Sequence, residues 1–226
     1  MAIIKDFGVV LREYEAGETD KKLVLLTRAH GKMTVFARGA RRTGSKLATG
    51  LFSYNEFVIF EGTGFYSLNA AQPVHVFDGI AEDYDKFCFA CCFLEMVDKM
   101  VLTGMDSAEI LNVLLYALAE LTRARHAPAT VFAVFAVKLL QTEGFAPLIG
   151  SAEGNAIVQT GESALTLSAL AARSLTYILE ANAKEMFAFR ASPDVTEQLY
   201  RAARLFVAEN LDARLKSLEM IGDLCL

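Results

Sequence analysis

The stretch KLVLLTRAHGKMTVFARGARR, residues 22–42, reads as two β-strands followed by a charged loop. KLVLLTR (22–28) runs into a turn at His30-Gly31, and KMTVFARG (32–39) starts beyond it. Apolar runs of this length on either side of a glycine turn predict paired strands. Alternation along the second sets Thr34, Phe36 and Arg38 on one face and Met33, Val35 and Ala37 on the other. Three similar runs flank this pair: FGVVLREY (7–14), LFSYNEFVIFEG (51–62) and FYSLNAAQPVHVF (65–77), the last two joined by Gly62-Thr63-Gly64. Five short strands with glycine at the junctions predict a small antiparallel barrel or sandwich. Pro73, which lacks an N–H, marks a bulge or edge in the fifth run.

Near residue 80 the period changes. AEDYDKFCFACCFLEMVDKMV (81–101) repeats its apolar residues at helical spacing, with acids in the first turn where a helix N-terminus favours them. Further helices are predicted over 107–124 with Ser107 as cap, 128–143 opened by Pro128, 168–181, 193–209 after the start signal Ser192-Pro193, and 212–223. GFAPLIGSAEGNAIVQTGE (144–162) reads as the one long irregular segment. The expectation is an α+β protein, with a five-stranded antiparallel β-domain over 1–78 and an all-α domain over 79–226.

The chain is 54% hydrophobic and 22% charged, which excludes a disordered polyampholyte. Its apolar runs are about half the length needed to span a bilayer, and no signal-peptide pattern opens it, so a soluble protein without membrane partners is expected. Cys88, Cys91 and Cys92 crowd one apolar helix and Cys225 stands alone. That pattern suits core packing in a reducing cytoplasm better than disulfides or metal, since the C-x-x-C pair lacks a second pair of ligands. The formal net charge is −5, yet residues 21–55 hold eight basic residues (Lys21, Lys22, Arg28, Lys32, Arg38, Arg41, Arg42, Lys46) and no acid. A local field of that sign attracts polyanions whatever the total charge.

Gly39 to Lys46, GARRTGSK, nearly spells a phosphate-binding loop, but its last two residues are exchanged relative to G-x-x-x-x-G-K-[ST]. The exchange puts lysine and hydroxyl each about 100° away around the following helix, and no helix is predicted there. His30, His75 and His126 lie far apart in unlike contexts, and no nucleophile and base pattern accompanies them. The residues predict a binding protein rather than an enzyme, with no cofactor. Single-stranded nucleic acid needs cations along its backbone and aromatic faces for its bases, and the β-domain offers both. Phe36 beside Arg38 is a plausible base-and-phosphate pair, with Lys21 and Lys22 in the same basic run. A module that binds RNA or another protein, without annealing activity, is the alternative.

GETDKKLVLLTRAHGKMTVFARGARR (17–42) closely resembles the N-terminal signature of the bacterial RecO family of recombination and repair mediators. LQTEGFAP (140–147) and LDARLKSLEMI (211–221) resemble two further elements of that family, so the likeness extends over essentially the whole chain. The resemblance implies an OB-fold followed by a helical domain. It implies binding of single- and double-stranded DNA and annealing of complementary strands. It also implies partnership with RecR and with the C-terminal tail of single-stranded DNA-binding protein, so that recombinase is loaded onto coated DNA in the cytoplasmic nucleoid. Lys32, Arg38, Gly39, Arg41 and Arg42 match the family's basic motif position by position, with Lys46 following. Arg123, Arg125 and Lys138 are candidates for meeting an acidic peptide tail. Many family members hold zinc with four cysteines after the G-[FY]-x-P element; here LIGSAEGNAIVQTGESAL has no cysteine or histidine, and no zinc is expected.

Overall fold

The computed structural model describes residues 2–43, 45, 47, 49–152, 155–160, 163–211 and 215–221. Five strands come first: β1 (Ala2–Ala16), β2 (Asp20–Thr27), β3 (Gly31–Ala37), β4 (Ser53–Gly62) and β5 (Phe65–Val76). They close into a barrel in the order β1-β2-β3-β5-β4, with β4 returning to β1. This is a Greek-key ring of the OB type, in which each strand has a neighbour on both sides.

β1 reaches the whole way because it serves two neighbours. Its first half, Ala2 to Val9, pairs with β4, and Gly8 to Ala16 pairs with β2. A register shift between Val10 and Arg12 bends the strand between these tasks. Not every ladder is antiparallel, as the sequence suggested. β4 runs antiparallel to β1 and β5 antiparallel to β4, so β5 must meet β3 in the same direction, and Phe36 pairs Ser67 in that parallel contact. A second register shift skips Val74, next to Pro73, where the missing N–H tolerates it.

The barrel is filled by Val10, Leu23, Leu25, Met33, Val35, Phe57, Ile59 and Leu68, with Ile4, Leu51 and Tyr66 packed against them. Inward and outward residues alternate along β3 as read from the sequence. Gly31 opens that strand at φ +67°, and a Cβ there would lie 2.0 Å from the Met105 carbonyl oxygen. Only glycine fits so close a backbone approach.

Contacts divide the chain into two compact units, Met1–Asp78 with Leu94–Leu111 and Gly79–Phe93 with Asn112–Leu226. Helices α1 (Tyr84–Met100), α2 (Ala108–Arg123), α3 (Pro128–Thr142), α4 (Ala169–Glu180), α5 (Pro193–Asn210) and α6 (Lys216–Ile221) follow the predicted pattern. In the second unit α3 is buried from Ala129 to Leu140. Its Phe132 and Phe135 meet Phe89, Phe93 and Tyr200 at ring separations of 4.3–5.8 Å. Ser192 caps α5 by accepting from the Val195 amide, and Pro193 occupies the first turn. Ser107 lies just before α2, but its hydroxyl donates to the Met105 carbonyl, and Asp106 receives the Ala108 amide instead. Cys88 and Cys92 are buried and Cys91 half-buried, consistent with packing.

The C-terminal part is not all-α. Residues read as irregular form a three-stranded antiparallel meander, β6 (Leu148–Ala152), β7 (Asn155–Thr160) and β8 (Ser163–Leu167). Their strands are five or six residues long and interspersed with Gly150, Ser151, Asn155 and Gln159, so no apolar alternation is long enough to stand out. Among the described residues, no helix is long and apolar enough to cross a membrane.

Candidate nucleic-acid interface

Strand register sorts the predicted cations onto two sides of the sheet. Residues directly opposite in an antiparallel ladder share a face. Lys22 stands opposite Phe36, and Phe36 points outward with 42% of its surface exposed. Lys22 is likewise exposed, so it and Phe36 form one outer row. On β1, Tyr14 stands opposite Lys22 and extends that row across three strands. The Arg12 guanidinium lies 4.8 Å from the centre of the Tyr14 ring and pairs with the Asp98 carboxylate at 2.8 Å.

Lys21 is opposite Ala37, which is fully buried, and therefore belongs to the other face. Its ammonium pairs with Glu13 at 2.7 Å. Lys32 is also engaged: its Nζ donates to the Asp98 carbonyl at 2.5 Å and stands 3.6 Å from the carboxylate. Asp98 is buried at the end of α1, and a buried carboxylate needs such partners.

Beyond β3 the chain turns at Gly39, whose φ of +68° suits glycine. The turn is latched to the β1–β2 connection. The Gly39 amide donates to Asp20 Oδ1 at 2.8 Å, and the Arg41 amide donates to the Thr19 carbonyl at 2.9 Å. Arg41 itself donates to the Gly17 carbonyl and pairs with Glu15, each at 3.0 Å. Arg42 folds back so that its Cδ lies 3.5 Å from where a Gly39 Cβ would be. The Gly39 amide, then the Thr19 hydroxyl, hold the Asp20 pKa below the ordinary carboxylate value, with Arg42 and Arg38 adding their charge.

The acids Glu13, Glu15 and Asp20 therefore flank the basic run in space although none interrupts it in sequence. The signal for them was the cluster in REYEAGETD (12–20), one hairpin turn upstream. Arg38 and Arg42 remain exposed, as does Lys22. Lys46 lies outside the described residues. The phosphate-loop reading finds no support among the described residues, since no helix follows Gly39 before α1.

In the second unit, Arg123 is exposed in the last turn of α2. Arg125 donates to the buried Glu120 from Nε at 3.1 Å and from its terminal nitrogen. His126 contacts Glu120 at 2.7 Å through Nδ1 and donates to the Phe189 carbonyl at 2.8 Å through Nε2. Burial works to raise the Glu120 pKa, but these Arg125 and His126 hydrogen bonds leave it below the ordinary value. Lys138 does not reach the surface. It is buried and donates to Gln141 and to the Leu179 and Ala181 carbonyls, which closes the C-terminus of α4. Among the described residues no cluster of histidine, cysteine or carboxylate side chains could hold a metal ion. The segment after the GFAP element, whose sequence holds no cysteine or histidine, pairs its described backbone in β6–β8.

Comparison with known proteins agrees with this architecture. Residues 1–77 match the model "Recombination protein O N terminal", and residues 81–219 match "Recombination protein O C terminal". A DNA repair protein RecO from Acetivibrio thermocellus is 27% identical over 246 residues, covering 99% of this chain and 98% of that protein. Its counterpart from Alkaliphilus metalliredigens is 28% identical over 232 residues, covering 93% and 94%. One from Bacillus pumilus is 34% identical over 147 residues, covering 64% of this chain. With both family models matched in order along the barrel and the helices, the chain belongs to the RecO family of DNA recombination and repair proteins.

Proposed function

We propose that the protein binds single- and double-stranded DNA, anneals complementary strands and, with RecR, helps load recombinase onto DNA coated by single-stranded DNA-binding protein. The observation that carries this reading is the outer face of the barrel, where Lys22 and Phe36 stand opposite one another beside the exposed Arg38 and Arg42. The mechanism is non-catalytic. Cations on this face neutralise phosphates of two strands, raise their local concentration and let base pairing follow. Lys22, Arg38 and Arg42 meet phosphate, with Lys46 beyond them, and Phe36 takes a base. Arg41 and Lys21 act at one remove by tying the loop and β2 to Glu15 and Glu13. The barrel over 1–78 is the DNA-binding domain, and the remainder serves partners. Arg123 and Arg125, both exposed, are the cations there that we assign to an acidic peptide tail.

Strand annealing and salt-dependent binding test the reading. With about four phosphates contacted, log K should fall with log salt at a slope near −3 for single strands. Replacing Arg38, Arg41 and Arg42 together by Ala should suppress annealing and flatten that slope. Unaltered annealing with an unaltered slope overturns the site. Tighter binding to RNA or to a partner peptide than to DNA would favour the alternative module.

A further inference from the structure

The geometry points to Tyr14 as a second base platform, which makes the barrel face selective for single-stranded DNA; this rests on the DNA-binding reading above. Tyr14, Lys22 and Phe36 occupy directly opposed positions on β1, β2 and β3. Both rings stand out from the barrel, each 42% exposed, although aromatic side chains of a small barrel usually fill its core. Neither joins the core cluster, which takes its aromatic bulk from Phe57 and Tyr66. Tyr14 is also held in place. The Arg12 guanidinium covers its ring at 4.8 Å and is itself anchored 2.8 Å from the buried Asp98.

The spacing defines the ligand. Neighbouring strands lie about 4.8 Å apart, so rings two strands apart stand about 10 Å from each other. Two bases on these rings are too far apart to stack on one another, and each ring takes its own. A cation sits between them in Lys22, where the connecting phosphate of a strand laid across β1, β2 and β3 would pass. A duplex cannot use the rings, because its bases are paired and already stacked. It can use only the cations. Tyr14 thus distinguishes the two forms of DNA, while Lys22, Arg38 and Arg42 serve both.

Binding of an oligothymidylate and of a duplex of equal length, each over a salt series, tests this with Tyr14→Leu and Tyr14→Phe. Tyr14→Leu should weaken oligothymidylate binding about tenfold, leaving duplex binding and the salt slope unchanged, because base stacking is uncharged. Tyr14→Phe should retain both affinities. Ultraviolet crosslinking of the unsubstituted protein to the oligothymidylate, followed by peptide mapping, should place a crosslink on Tyr14. Native-like oligothymidylate binding by Tyr14→Leu, an equal loss on duplex, or a crosslink that avoids Tyr14 overturns the inference. In those cases the general DNA reading stands if the arginine triple variant still loses binding. It falls with the inference only if the native protein binds neither form.

Discussion

Asp6 holds together more of the barrel than a single carboxylate on a strand ordinarily would. It accepts from the Phe7 amide at 2.7 Å, from the Ala29 and His30 amides at 3.0 and 3.1 Å, and contacts His30 Nδ1 at 2.7 Å. The β2–β3 turn is thereby tied to β1. Burial pushes the Asp6 pKa upward, but these bonds, His30 foremost, leave it below its ordinary value of 3.8. Asp6→Asn should cost about 2 kcal/mol in denaturant titrations at neutral pH, because bonds to a charged acceptor are lost or weakened. Lys32 presents a contrasting case. Its Ala variant should lose about 1–2 kcal/mol of stability through Asp98, while leaving the salt slope of DNA binding within error of native. The family motif offers Lys32 as a DNA contact, and nothing in the linear order pairs it with Asp98, 66 positions away. Phe36 was legible for the opposite reason, since alternation along one strand fixes its face.

At the scale of elements, the basic loop is shaped by its neighbours as much as by its own sequence. Asp20 holds the Gly39 amide, and Asn at that position keeps an acceptor while removing one negative charge beside Arg38 and Arg42. Asp20→Asn should therefore raise DNA affinity at low salt by about two- to fivefold, a gain that high salt abolishes. A drop in affinity would mean that the latch outweighs the charge. Gly31→Ala combines a positive φ with a backbone collision and should cost more than about 2 kcal/mol, read as a lowered midpoint of thermal unfolding. The strands of the barrel were readable because each carries enough apolar residues to show its period. β6, β7 and β8 were not, since segments of five or six residues are too short to show a hydrophobic period. Lys138 escaped for a related reason: a long charged side chain on an apolar helix looks like a surface residue until a helix end is placed beside it.

Over the whole chain, charge is unevenly distributed. Residues 1–80 carry 10 basic and 8 acidic residues, net +2, whereas residues 81–226 carry 12 and 19, net −7. The nucleic-acid contact proposed above falls in the first set, whose net positive charge attracts polyanions. Each unit also contains a buried carboxylate of lowered pKa, Asp6 in one and Glu120 in the other. A depressed folded pKa adds stability above the unfolded value, and that contribution is lost as pH falls through the folded pKa. Unfolding midpoints followed by circular dichroism should therefore drop as pH falls below about 4.5, and Glu120→Gln and Asp6→Asn should each make the drop shallower. The closed ring of β1 to β5 has a consequence at high occupancy. Under the annealing role proposed above the protein works crowded along one strand of DNA, where an unpaired sheet margin would invite neighbouring molecules to fuse into fibres. Every barrel strand already has two partners, so molecules gathered on that strand are spared one route to irreversible polymer and can disperse once the nucleic acid is gone.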